Sequence, residues 1–367
     1  MEHLALYRKY RPKTFEEVVG QEHITKTLAN QILAGKLNHA YLFTGTRGTG
    51  KTSIAKIFAR AVNCENTKNG SPCLECETCK RLLNDNDINI VEIDAASNNK
   101  VDDIRELREK VKFAPIGAKY KVYIIDEVHM LSDSAFNALL KTLEEPPKYV
   151  IFILATTEVH KLPQTILSRC VRFDFRLISV AELTKHLKKV FDEEGIKYEP
   201  EALKLIAAAG EGSVRDTLSI ADCINAYSNG NITKENVLKV LGTTDYDLLL
   251  KFFNCLIEKD IGGILELINQ MDNSGKNLAV FAKDIAKHSR DLLTVKTCKQ
   301  PNEILNLPED VFAEFEEQAK KINEKELIKC MQCFAGAENE LRYTLSVRLL
   351  LETTALSVIN SEDAKKN

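Results

Sequence analysis

Eight consecutive residues, Gly45-Thr46-Arg47-Gly48-Thr49-Gly50-Lys51-Thr52, combine bare backbone with one ammonium and one terminal hydroxyl. Glycine accepts positive φ and lets an anion approach the main chain, so a loop bracketed by Gly45 and Gly50 can wrap its N–H groups around a β-phosphate. In the pattern G-x-x-x-x-G-K-[ST], Lys51 reaches the β- and γ-phosphates. Thr52 offers a Mg²⁺ ligand at a helix N-terminus, whose dipole favours anions. Gly48, Thr49 and Ser53 complete the stretch expected to touch a nucleotide. A plain glycine turn with a surface lysine is the alternative, and the flanking residues decide between them.

Further on, Asp126 and Glu127 end an apolar run, Lys121 to Ile125. Two adjacent carboxylates there suit different tasks: Asp126 can hold Mg²⁺ and Glu127 can polarise an attacking water. A capping acid after a buried strand is the plainer alternative. Four cysteines, Cys64, Cys73, Cys76 and Cys79, are spaced C-x8-C-x2-C-x2-C. Four thiolates close a tetrahedral Zn²⁺ shell without an open position, which implies a structural metal and argues against a two-cysteine redox motif. Cys330 and Cys333, at helical spacing with no second pair, read as packing thiols.

The elements that must position these groups follow from periodicity. Tyr41-Leu42-Phe43 predicts a strand into the glycine loop, and Ile54, Ile57, Phe58 and Ala61 recur at helical spacing after it. Ile88 to Ile93, Lys121 to Asp126 and Tyr149 to Ala155 predict further buried strands of a parallel sheet, the last delivering Thr156 and Thr157 to its carboxyl edge. Ser132 predicts an N-cap for the helix carrying Phe136 and Leu139, which Pro146-Pro147 ends. Ser179-x-x-Glu182 and Ser213-x-x-Asp216 are capping boxes; the second sets Arg215 in a first helical turn, where the dipole disfavours a cation and a bound phosphate would explain one. Beyond Thr243 the pattern is wholly helical.

The 367 residues are 44% hydrophobic and 28% charged, enough for two or three domains with real cores. A net charge of −3 excludes a basic footprint over the whole chain. The absence of a signal peptide or a long apolar run leads us to expect a cytoplasmic, membrane-free protein.

GTRGTGKT at Gly45 to Thr52, the four-cysteine insert, IIDEVHML at Ile124 to Leu131, ALLKTLEEPP at Ala138 to Pro147, LATTEVHKLP at Leu154 to Pro163 and SRC at Ser168 to Cys170 together resemble the bacterial DNA polymerase III gamma/tau subunits. These are AAA+ motors of the sliding-clamp loader. The insert and the SRC triplet are the specific parts. The resemblance implies an α/β P-loop NTPase domain with a parallel sheet over residues 1–178, holding a zinc module at about 62–82. A three-helix lid over 179–242 and an all-α collar over 243–367 would follow.

The resemblance also implies roles. Thr157 would be the sensor, Arg169 the arginine finger offered to a neighbouring subunit's ATP, and Arg215 the lid arginine acting in cis. Tyr7, Arg11 and Val19 would border the adenine, although a basic-aromatic entry segment taken alone is more often a packed N-terminus than a ligand site. The implied cofactors are ATP, Mg²⁺ and Zn²⁺. The implied partners are delta- and delta-prime-type subunits, further copies of the chain, the sliding clamp and primed DNA. Lys100 and Arg105, after the second strand, are candidate DNA-backbone contacts. Two rivals use the same residues: a hexameric AAA+ helicase or remodeller, and a scaffold that binds ATP without turnover.

Overall fold

A computed structural model describes residues 4–83, 87–99, 101–241, 246–274, 277–305, 309–340, 344 and 346–360. The chain divides into two compact units, Met1–Leu241 and Gly242–Asn367.

The first unit is built on five parallel strands, β1 (Ala40–Thr44), β2 (Ile90–Asp94), β3 (Lys121–Asp126), β4 (Val150–Thr156) and β5 (Val171–Asp174), in the order β2-β3-β4-β1-β5. Every residue of β1 and β4 is buried, as a parallel strand covered on both faces requires. Register Thr44↔Thr156 brings the ends of these two strands level, and Asp94↔Asp126 does the same for β2 and β3. Helix α1 (Leu6–Lys9) opens the chain, and α2 (Glu22–Leu33), α3 (Lys51–Asn63), α4 (Glu77–Leu82), α5 (Val101–Val111), α6 (Asp133–Glu144) and α7 (Gln164–Leu167) accompany the sheet. One face packs Ile54, Ile57 and Phe58 of α3 against Tyr41, Phe43 and Ile153. The other packs Leu107 of α5 and Phe136 and Leu139 of α6 against Tyr123 and Phe152. Ser132 caps α6 through the Ala135 amide.

The expected buried strand from Ile88 starts later, at Ile90, and is a half-exposed edge strand rather than a buried one. Asn89 is diverted by its side chain, which exchanges two bonds with the Ile116 main chain, although its carbonyl still accepts from the Val122 amide.

After the sheet come α8 (Val180–Glu194), α9 (Pro200–Ala209), α10 (Val214–Ser228) and α11 (Lys234–Leu241), four helices where the sequence suggested three. Two short strands, β6 (Lys197–Tyr198) and β7 (Asn231–Ile232), pair in parallel between them. At two residues each they leave no periodic signal. The complete capping box at Ser179 opens α8, a device worth about 1 kcal/mol. The N-terminal helix belongs to this helical core: Leu6 packs with Leu187, Ile206 and Leu218, and its amide donates to Asp222 Oδ2 at 2.6 Å.

Among its described residues the second unit's elements are all helices: α12 (Tyr246–Glu258), α13 (Ile261–Asn273), α14 (Leu278–Thr297), α15 (Pro301–Leu305), α16 (Glu309–Lys321), α17 (Glu324–Glu340) and α18 (Val347–Asn360). Phe252, Phe253, Phe281, Phe315 and Phe334 form its centre. Cys330 is buried in this core, with Cys333 half-buried. Residues 242–245, where the lid and collar were expected to meet, lie outside the described residues.

Candidate functional site

The loop between β1 and α3 is shaped by three glycines in the left-handed region, Gly45 (φ 144°), Gly48 (φ 76°) and Gly50 (φ 104°). Two of them cannot carry a side chain for a second reason. A Cβ on Gly45 would meet the Phe175 carbonyl oxygen at 2.6 Å, and one on Gly48 would meet Ser213 Oγ at 1.9 Å. Thr49 is buried, and its hydroxyl closes the loop on the Thr46 carbonyl at 2.8 Å. Lys51, 6% exposed, donates to the carbonyls of Gly45 and Thr46 at 2.8 and 2.9 Å. Burial holds its ammonium below the ordinary lysine range, with Glu127 and Asp126 pulling the other way.

Asp126 stands at the carboxyl end of β3 and accepts from Thr52 Oγ1 at 2.7 Å through Oδ2 and from the Glu127 amide at 3.0 Å through Oδ1. One hydroxyl and one carboxylate oxygen so placed are hard donors of the kind Mg²⁺ prefers. Glu127 turns at φ 46°, and its Oε2 accepts from the Thr157 hydroxyl at 3.0 Å and amide at 3.3 Å. Lys51, Thr52, Asp126, Glu127 and Thr157 are thus gathered where three strands end. This arrangement can cradle a triphosphate, hold a divalent cation and present a base to water.

Of the expected adenine border, Arg11 Nε lies 3.2 Å from Ser53 Oγ, beside the loop, and Tyr7 and Val19 pack against the helical core. Tyr7 lies under the Arg215 guanidinium at 5.3 Å from its ring centroid. Arg215 occupies the first turn of α10, which Ser213 caps through the Asp216 amide, and the next amide, Val214, donates to Gly48 O at 3.2 Å. The helical segment therefore touches the phosphate loop directly. Arg169 joins none of these groups; it bonds Glu144 Oε1 at 2.7 Å and Thr165 O at 2.8 Å, and its side chain is 34% exposed. Arg105 is exposed and pairs with Asp102 at 3.0 Å, while Lys100 lies outside the described residues.

Two residues escaped sequence reasoning. Gln21 is fully buried and ties the Thr49 carbonyl to the main chain of Arg176, a long-range contact with no local signature. His129 lies inside a quoted motif, but its partner Thr156 is 27 positions away.

The four cysteine sulfurs lie within 4.8 Å of one another. Cys73 Sγ and Cys79 Sγ are 3.9 Å apart, near the roughly 3.8 Å that Zn–S bonds of about 2.3 Å impose on a tetrahedron and far from a disulfide. Amides of Cys73, Cys76 and Cys79 donate to the sulfurs of Cys64, Cys73 and Cys76 at 3.3 to 3.4 Å. For Cys73, burial pushes the thiol up, but the Cys76 and Glu75 amides outweigh it and bring it to about 6. Donor set and spacing fit zinc.

The strand order, the glycine loop and the acidic pair at the end of β3 define a P-loop NTPase of the AAA+ class. Residues 20–179 match the family described as DNA polymerase III, delta subunit, residues 182–230 the DNA polymerase III clamp loader subunit, ATPase lid domain, and residues 232–366 the DNA polymerase III subunits gamma and tau domain III. The chain is 45% identical over 358 residues to Bacillus subtilis DNA polymerase III subunit tau, covering 98% of this chain and 63% of that one. It is 47% identical to the Escherichia coli tau subunit over 74% of this chain and 42% of that one. To the Buchnera aphidicola gamma subunit it is 36% identical over 98% of this chain and 100% of that one. The chain belongs to the DNA polymerase III gamma/tau subunit family. It spans between two fifths and two thirds of the two longer relatives. A RuvB mutant structure from Thermotoga maritima superposes with a TM-score of 0.50 at 20% identity over 73% of this chain and 86% of that one, a likeness of fold alone.

Proposed function

We propose that this chain is an ATP-driven motor subunit of a bacterial clamp loader, hydrolysing ATP at subunit interfaces to place a sliding clamp on primed DNA. The observation that carries this reading is the convergence of two bonded pairs, Thr52 with Asp126 and Thr157 with Glu127, on one buried-lysine loop. Lys51 binds the β- and γ-phosphates, Glu127 activates water, Thr157 orients it, and Arg215 answers the γ-phosphate from the lid. Gly45, Gly48, Thr49, Gly50 and Ser53 line the phosphates, and Tyr7, Arg11 and Val19 border the base. When bound, Mg²⁺ held by Thr52 and Asp126 supplies charge neutralisation at the phosphates. Zn²⁺ on Cys64, Cys73, Cys76 and Cys79 fastens the insert.

Arg169 serves a neighbouring subunit's nucleotide, which agrees with its bonding to Glu144 rather than to its own chain's loop. Residues 1–178 act as motor, 179–242 as lid and 243–367 as collar. The partners are delta- and delta-prime-type subunits, further copies, the clamp and primed DNA, met through Lys100 and Arg105, in the cytoplasm. ATP turnover measured with and without partner subunits, clamp and primed DNA tests the reading. Turnover should rise steeply only with all of them, and turnover that ignores clamp and DNA would contradict it.

A further inference from the structure

His129 has no part in the assignments above, yet its side chain is only 7% exposed and sits among them. It stands on the turn Val128–Met130 directly after Glu127. Nδ1 lies 3.0 Å from Thr156 Oγ1 and 3.4 Å from Glu127 Oε2, the same oxygen that Thr157 engages. On the opposite ring edge, Nε2 lies 3.7 Å from Glu158 Oε1, and Glu158 is in turn paired with Lys161 at 2.6 Å and His160 at 3.6 Å. The Glu158 amide already uses one lone pair of the Thr156 hydroxyl, at 3.0 Å. The tautomer with its proton on Nδ1 donates to the second lone pair of that hydroxyl and turns the same N–H toward Glu127 Oε2, whereas an unprotonated Nδ1 would face the carboxylate with a lone pair.

We propose that His129 is a positioning residue for hydrolysis: it ties the turn after β3 to the end of β4 and thereby fixes the Glu127 carboxylate. Glu127 follows the end of β3 in a left-handed conformation, outside the strand's own ladder. Thr157 restrains one carboxylate oxygen; the imidazole supplies the second direction of restraint and keeps Thr156 and Thr157 level with the loop. A misplacement of about 1 Å at a reacting group can cost about 10²-fold in rate, so loss of the imidazole should act on turnover rather than on binding.

The proposal rests on the ATPase reading, and the experiment separates the two. In the complete assembly with clamp and primed DNA, His129→Leu should lower kcat by about 10–100-fold while KM for ATP stays within about twofold. His129→Asn, which returns a polar atom near Nδ1, should recover most of the loss. In a Glu127→Gln background, His129→Leu should add nothing. A rise in KM without loss of kcat, no rescue by asparagine, or losses that multiply with Glu127→Gln would overturn it. If the unaltered assembly showed no turnover, the ATPase reading would fail instead, and nitrogen NMR of the full chain would still judge the geometry. The His129 ring signals should move on Glu127→Gln and on Thr156→Val, and signals unmoved by both would overturn the proposal.

Discussion

At the scale of single residues, the site depends on backbone shape as much as on charge. Gly48 is needed both for its positive φ and because Ser213 fills the space where a Cβ would go. Gly48→Ala should therefore push α10 and Arg215 away from the loop, weakening binding of a fluorescent ATP analogue by about tenfold, since strained left-handed residues cost about 1–3 kcal/mol. Thr157 acts differently. Thr157→Val keeps the volume and the amide but deletes the hydroxyl that holds Glu127 Oε2. Analogue binding should stay within about twofold while turnover in the assembly falls by about 10²-fold, readable as a kcat loss without a KM change. The residue types here were readable from sequence because phosphate chemistry admits few alternatives at that spacing. His129 and Gln21 were not, because each acts through a partner far away in the chain.

At the scale of elements, the insert depends on a metal and the helix carrying His288 responds to pH. The turns at Asn69, Gly70 and Leu74 carry positive φ, and the cysteine cluster has few other apolar residues around it. Metal analysis should return one zinc per chain. Cys76→Ser should abolish it and open residues 64–82 to proteolysis, because metal binding contributes about 10–16 kcal/mol in small zinc modules.

His288, on α14, is enclosed by Phe253 and Phe315 at 4.4 Å each, with Nε2 2.8 Å from Gln318 Oε1. Burial lowers its pKa from 6.5 to about 4, against the opposing bond from Gln318. Between those values the unfolded chain binds the proton and the folded chain does not, so stability falls as the pH drops from about 6.5 toward 4, by up to about 3 kcal/mol. Thermal unfolding followed between pH 7 and pH 5 should show this slope, and His288→Phe should flatten it.

The central strands β1, β3 and β4 were readable because a parallel strand covered on both faces must be apolar throughout. The position of α1 was not, since four helical residues carry no statement of which core they join.

At the scale of the whole molecule, one unit carries the nucleotide loop and the other is an all-helical body with its own aromatic core. Their separate cores explain why composition and periodicity indicated more than one domain. The boundary itself is weakly marked, because helical periodicity runs up to it in α11 and is present again beyond it in α12. In the first unit, Lys51, Asp126, Glu127 and Thr157 converge, while Arg169 turns to Glu144. The proposed service of Arg169 to a neighbouring nucleotide is the feature that a subunit-interface ATPase requires.

The most direct measurement combines an Arg169→Ala chain with unaltered copies in the full assembly and follows ATP binding and turnover separately. The account predicts that the altered chain binds ATP within about twofold of normal, while turnover at the adjacent site falls by about 10³–10⁵-fold. Unchanged turnover in that assembly, or full turnover by an isolated chain, would contradict it.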